Sequence, residues 1–167
     1  MKQQLSLQGK SQYDASIKPH YRNSACGPTT IHVILRYYDE TAPSVNALYK
    51  LLGCTKIGLF KWRLIHNLRK LLPTWDIRKC SLKEALQEID AGRPVAMRFD
   101  RYFSLQWFDK KSTFAYHWVP LTGYEVQNDK LVLQFHDNGG QNRDSQIRTA
   151  LFQNNENVLC FVKIAPK

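Results

Sequence analysis

Apolar residues recur at helical spacing through the first half of the chain and at strand spacing through the second. Helical patterns are predicted over residues 28–38, with Pro28 at an early position where its missing N–H is no loss, and over 44–52, opening on a capping Ser44. Two more cover residues 58–72 and 81–91, the latter with Ser81 and Glu84 spaced as a capping box. After Arg93 the pattern turns to runs rich in β-branched and aromatic residues: PVAMRF, FAYHWVPLTGYEV, KLVLQFH and VLCFVKI, with QND making a tight connection between the second and third. Helices followed by strands predict an α+β fold, with the helices packed to one side of a mainly antiparallel sheet and any active surface between the halves.

With 167 residues, 43% of them hydrophobic, the chain has the size of one domain with a real core, a helical half at about 20–92 and a sheet half at about 93–165. The start, MKQQLSLQGKSQ, has no apolar region of a secretory signal, and the apolar runs fall short of the roughly 18 residues of a membrane span. A cytoplasmic location without a membrane span is the expectation.

Cysteines stand at 26, 54, 80 and 160, widely spaced and without CxxC pairs, so reduced thiols are expected. Cys54 and Cys160 read as buried small hydrophobes, and Cys80 is ambiguous. Neither cysteines nor histidines show metal-ligand spacing, so no metal and no cofactor are expected. The net charge of +10 is concentrated in residues 50–83, where nine Lys/Arg face the single acid Asp76. That field suits an acidic partner, whether peptide, nucleic acid or lipid surface, and equally a solvated face. Within it, Phe60 and Trp62 alternate with Lys61 and Arg63 in a way that would stack bases, although nucleic acid is the weaker choice. The same stretch also reads as an amphipathic helix with Leu59, Trp62, Ile65, Leu68 and Leu72 inward.

Cys26 stands apart from the other cysteines because NSACGPTTIHVILRYY places it where a loop becomes a helix. A helix N-terminus favours a thiolate through its free N–H groups and dipole. Gly27 would let the backbone pass close to a substrate. A thiolate chemistry needs a proton carrier, and His117, at the start of a strong strand on the face of Val119 and Leu121, is the best placed of five histidines. Alone it would read as a core residue. Asp137 ends the next strand, and a hairpin from 117 to 137 can set it beside His117 as the group that orients the imidazole. Asn138 is the alternative orienter. His32, His66 and His136 read as structural or solvated.

The stretches SACGPTTIHVILRYY, SLKEALQEIDAGRPVAMRF, HWVPLTGYE and FHDNGG, carrying Cys, His and Asp in that order, resemble the C39-like cysteine peptidases of the papain-like superfamily over roughly residues 17–140. The resemblance implies a papain-like fold with the nucleophile on the first long helix and its partners on an antiparallel sheet. It implies Cys26 as nucleophile, His117 as general base and then acid, and Asp137 as orienter, with the Cys26 backbone N–H and an upstream side chain holding the oxyanion. Where the family usually has a glutamine about six residues before the cysteine, this chain has His20, which becomes the candidate donor. Asn23 is a second, and Gln12 reads as too distant. The implied activity is a hydrolase cleaving an amide bond of a peptide, or another acyl-bearing substrate, through an acyl-enzyme. An acyltransferase or amidase with the same triad is the alternative, and so is a binding module that uses the basic segment.

Overall fold

The structure, a computed structural model, describes residues 2–39 and 41–167. In chain order the elements are β1 (Lys2–Gln4), α1 (Cys26–Tyr38), α2 (Val45–Leu51), α3 (Lys61–Leu71), β2 (Trp75–Cys80), α4 (Leu82–Asp90), β3 (Val95–Asp100), β4 (Tyr116–Gln127), β5 (Lys130–Asp137), β6 (Gln146–Leu151) and β7 (Leu159–Pro166). The strands form one antiparallel sheet in the order β2-β7-β3-β4-β5-β6, with β1 added along β4 at residues 123–125, beyond the end of β3.

The local signals act as their chemistry requires. Ser44 accepts from the Ala47 N–H at the start of α2, and Ser81 and Glu84 form a reciprocal capping box on α4. The β4–β5 hairpin turns on Asn128 and Asp129, both at positive φ, as a two-residue turn between twisted strands demands. Helix α1 begins at Cys26 itself, two residues before Pro28, and α3 begins only at Lys61 because Gly58 is held in a loop at φ +117°.

The sheet is covered on both faces, whereas the order of elements predicts helices on one. Alternation along β3 and β4 sends Ala96 and Trp118 to a cluster with α1, α2 and α3, and sends Val95, Met97, Phe99, Val119 and Leu121 to a second cluster with Ala85 and Ile89 of α4. The short connections on either side of α4 carry it to the opposite face. Strands β1, β2 and β6 carry no strand signature in the sequence. β1 is three polar residues, and β2 and β6 lie at the two ends of the sheet, where charged side chains such as Arg78, Lys79 and Arg148 shield exposed edges and erase the apolar alternation. Trp62 is turned outward rather than inward; the buried positions of α3 are Leu64 and Leu68.

The first turn of α1 is locked against the loop before α3. A Cβ on Gly27 would stand 2.7 Å from the Leu59 Cβ, so close packing rather than substrate access requires this glycine. The Leu59 carbonyl accepts from both the Tyr116 hydroxyl and the Trp118 indole at 2.9 Å, which fixes that loop to β4. In an open helix Gly27→Ala would add about 1 kcal/mol of stability. Here overpacking, at about 1–3 kcal/mol, outweighs it. Denaturant unfolding of Gly27→Ala is therefore expected to show a net loss, and a gain would contradict the packing.

Candidate active site

The geometry begins where two strands part. The β4–β5 ladder runs from Gln127↔Lys130 to Leu121↔Phe135, while β4 reaches back to Tyr116 and β5 forward to Asp137. The N-terminus of α1 meets the sheet beside this opening. Asn138, fully buried, donates through Nδ2 to the Cys26 carbonyl at 3.0 Å, the Trp118 carbonyl at 2.7 Å and the Thr30 hydroxyl at 3.0 Å. A side-chain amide thus replaces strand pairing and ties the cysteine helix to the sheet.

Cys26 and His117 interact across this junction, and Asp137 Oδ1 lies 3.2 Å from His117 Nε2. Burial alone would raise the Cys26 pKa. The hydrogen bond and charge of His117, with smaller help from the Trp118 and Gly27 backbone N–H groups, outweigh it and lower the thiol below its ordinary value. Burial alone would lower His117, but its bonds to Asp137 and Cys26 raise it to about 9. By contrast, burial pushes Cys54 and Cys80 up to about 12, and no disulfide forms. Cys26 is electrostatically prepared to ionise, whereas Cys54 and Cys80 are held protonated.

Asp137 is buried, which alone would raise its pKa, yet its bonds to His117, Arg143 and Arg148 hold it far below the usual carboxylate range. Its Oδ2 accepts from Arg143 at 2.7 Å and from Arg148 at 3.1 Å. Arg148 also lies over the Phe114 ring, 5.1 Å from its centroid, and Phe114 packs against the His117 imidazole at 4.7 Å. Neither arginine was singled out in the sequence. They lie 6 and 11 residues after Asp137 in a polar stretch, and only the turn into β6 brings them back.

A cavity of about 320 Å³ opens on these groups, lined by Cys26, His117 and Asp137 together with Gln12, Asn23 and Tyr116. His20 is not among its walls. It lies exposed on the surface with its ring against Tyr21, and Gln12 occupies the cavity instead. Sequence distance hid Gln12, because residues 11–24 fold back in tight turns closed by bonds from Asp14 to Ser11, Ile17 to Asp14, Tyr21 to Lys18 and Ser24 to Tyr21. The Gln12 N–H then donates to the Asn138 carbonyl at 2.8 Å, and Gln12 Nε2 donates to the Arg22 carbonyl at 2.7 Å. Asn138, the alternative orienter, spends its Nδ2 on α1 and β4, and it is Asp137 that bonds His117. His32 bonds the Pro43 carbonyl and His136 the Ser145 hydroxyl, both away from the cavity. Among the described residues no group of three or more His, Cys, Asp or Glu side chains could hold a metal ion.

The arginine pair acts on the imidazole through Asp137. Both guanidinium groups compete with His117 for one carboxylate and repel its positive charge, so Arg143→Ala is expected to raise the His117 pKa further above its ordinary value. An imidazole ¹⁵N NMR titration reads this directly, and a downward shift would contradict it.

Comparison with known proteins bears on the family and the fold. No curated protein matches the chain significantly. The peptidase domain of Streptococcus ComA, a bifunctional ABC transporter involved in a quorum-sensing pathway, has a similar fold: the TM-score is 0.58 at 15% identity, over 86% of this chain and 92% of that one. The model of the peptidase C39-like family matches residues 4–164, nearly the whole chain. The chain belongs to the peptidase C39-like family.

Proposed function

We propose that the protein is a cysteine peptidase that cleaves an amide bond through an acyl-enzyme on Cys26. The observation that carries this reading is the coupled pair of a lowered thiol and a raised imidazole, both facing one cavity. Family membership supports a cysteine peptidase-like activity in general, and the contacts of the individual residues support the roles given to them here.

The Cys26 thiolate attacks the carbonyl carbon, forming the carbon–sulfur bond as the carbonyl electrons move to oxygen. The oxyanion is received by the Cys26 backbone N–H and by Gln12. An amide nitrogen has two hydrogens, and only one of those on Gln12 Nε2 is taken by the Arg22 carbonyl. That bond supports this orientation of the amide, since the reverse would set two carbonyl oxygens together. Gln12 replaces His20 in this role. His117 donates its proton to the leaving amine as the tetrahedral species collapses, then takes a proton from water as water attacks the acyl-enzyme. Asp137 keeps Nε2 engaged and so points Nδ1 at the sulfur. Transfer to an amine in place of water would need an acceptor site, and nothing around the cavity singles one out.

Cys26→Ala is expected to abolish cleavage of a peptide library followed by mass spectrometry, and residual cleavage would overturn the proposal. Gln12→Ala is expected to lower kcat by about 10²–10³. Alkylation of Cys26 should persist in that variant, because Gln12 meets the oxyanion and not the sulfur. With pH, activity should fall at the acid side as the thiolate takes a proton, and at the alkaline side as His117 loses one near pH 9. A kcat that rises steadily through pH 9 would exclude the ion-pair form of the mechanism.

A further inference from the structure

Between β3 and β4 the chain makes an ordered loop that turns its apolar side chains outward. Its backbone is held from within: the Phe103 N–H bonds Asp100 Oδ1, Gln106 N–H bonds the Arg101 carbonyl, the Trp107 indole bonds the Tyr102 carbonyl and Arg101 Nη1 bonds the Asp109 carbonyl. Yet Tyr102, Phe103, Leu105, Trp107 and Phe108 are each more than half exposed, with Leu105 at 77% and Phe108 at 92%. Leu105 also adopts φ +60°, a region that favours glycine or asparagine, so the backbone is strained where it holds a leucine in water. Collapse of a poorly built loop does not give this arrangement. Apolar tips on a backbone held by its own hydrogen bonds mark a binding surface.

The patch continues onto α3. The Phe103 ring meets Phe60 at 5.4 Å, Trp62 beyond it is 61% exposed, and the Arg63 guanidinium lies 5.7 Å and 5.1 Å from the Phe60 and Trp62 ring centroids. Lys61 and Arg63 adjoin Trp62 on α3, and Lys110 and Lys111 line a groove beside Phe108 together with the acids Asp109 and Glu156. The Asp109 carboxylate is engaged by the Lys111 N–H. The outer groove of α3 adds His66, Arg69 and Lys70 to the same cationic side.

We propose that this loop and the start of α3 form a docking surface for an anionic lipid bilayer. Exposed Trp, Tyr, Phe and Leu beside lysines and arginines are the side chains that partition into the bilayer interface, rings at headgroup level and cations on phosphates. A protein partner would need a matching recess for each tip. A bilayer needs none, and it accepts a side chain as isolated as Phe108. The net charge of +10 favours the anionic surface from a distance. The patch borders the cavity, because Phe103 also packs on Tyr116 at 6.5 Å and Tyr116 is a cavity wall next to His117. Taken with the function proposed above, docking would bring the cavity to substrates presented at the membrane surface. The inference stands on the loop and α3 alone and is independent of the chemistry assigned to Cys26.

The test is flotation of the full chain with vesicles of phosphatidylcholine, with and without phosphatidylglycerol. The wild type is expected to associate with the anionic vesicles, less so as salt rises, with a blue shift in tryptophan emission from Trp62 and Trp107. Leu105→Asn combined with Phe108→Ser should weaken association by about tenfold or more while the melting temperature holds, as should Lys110→Glu combined with Lys111→Glu. No vesicle association, or equal association by both double variants, would overturn the proposal. So would variants that leave flotation unchanged but weaken self-association in sedimentation, or peptide turnover in solution. Those outcomes would assign the patch to a second copy or to a peptide.

Discussion

A buried anion is stable only where a cation is fixed beside it. Cys26 lies at the foot of the most deeply buried helix of the chain, where burial alone would hold its thiol protonated as it does Cys54 and Cys80. What distinguishes it is His117, and what makes His117 a lasting cation is Asp137. Asp137 is buried in turn, and it remains ionised because Arg143 and Arg148 reach its outer oxygen. Charges therefore alternate from the solvent-facing arginines inward to the sulfur. Each one depends on its neighbours, and the innermost is the one that the proposed mechanism uses.

That alternation needs two halves of the molecule held in register to within a fraction of a hydrogen bond. The sheet supplies His117 and Asp137 from neighbouring strands, and the helix supplies the sulfur. Asn138 joins them by spending its amide on the Cys26 and Trp118 carbonyls, while its own carbonyl receives the Gln12 N–H. One residue therefore sets the positions of Cys26, the strand that carries His117, and the loop that carries Gln12. Gly27 serves the same end by letting Leu59 press against the first turn of α1.

The long, periodic elements were legible in the sequence because their pattern is imposed by burial: α1, α4, β3, β4, β5 and β7 all bury an apolar face or lie wholly inside. So was the convergence of Cys26, His117 and Asp137, since a helix mouth and a hairpin leave few other arrangements. What the sequence concealed has two physical sources. Edge strands such as β2 and β6 carry charge where interior strands carry alternation. Gln12, Arg143 and Arg148 lie in polar stretches whose path is fixed by turns rather than by a repeating pattern, so nothing local marks them as neighbours of the site. His20 showed the converse, a residue at the expected spacing whose short turn leads it to the surface.

The measurement that bears most directly on this account is the rate of iodoacetamide labelling against pH, with the modified residue identified by mass spectrometry, in the wild type and in His117→Ala. The alternating charges require selective labelling of Cys26 with an apparent pKa well below the value of about 8.5 for a free thiol. In His117→Ala burial acts unopposed, and labelling at neutral pH should nearly vanish. Labelling of Cys26 at the rate of an ordinary thiol, unchanged by the loss of His117, would contradict the account.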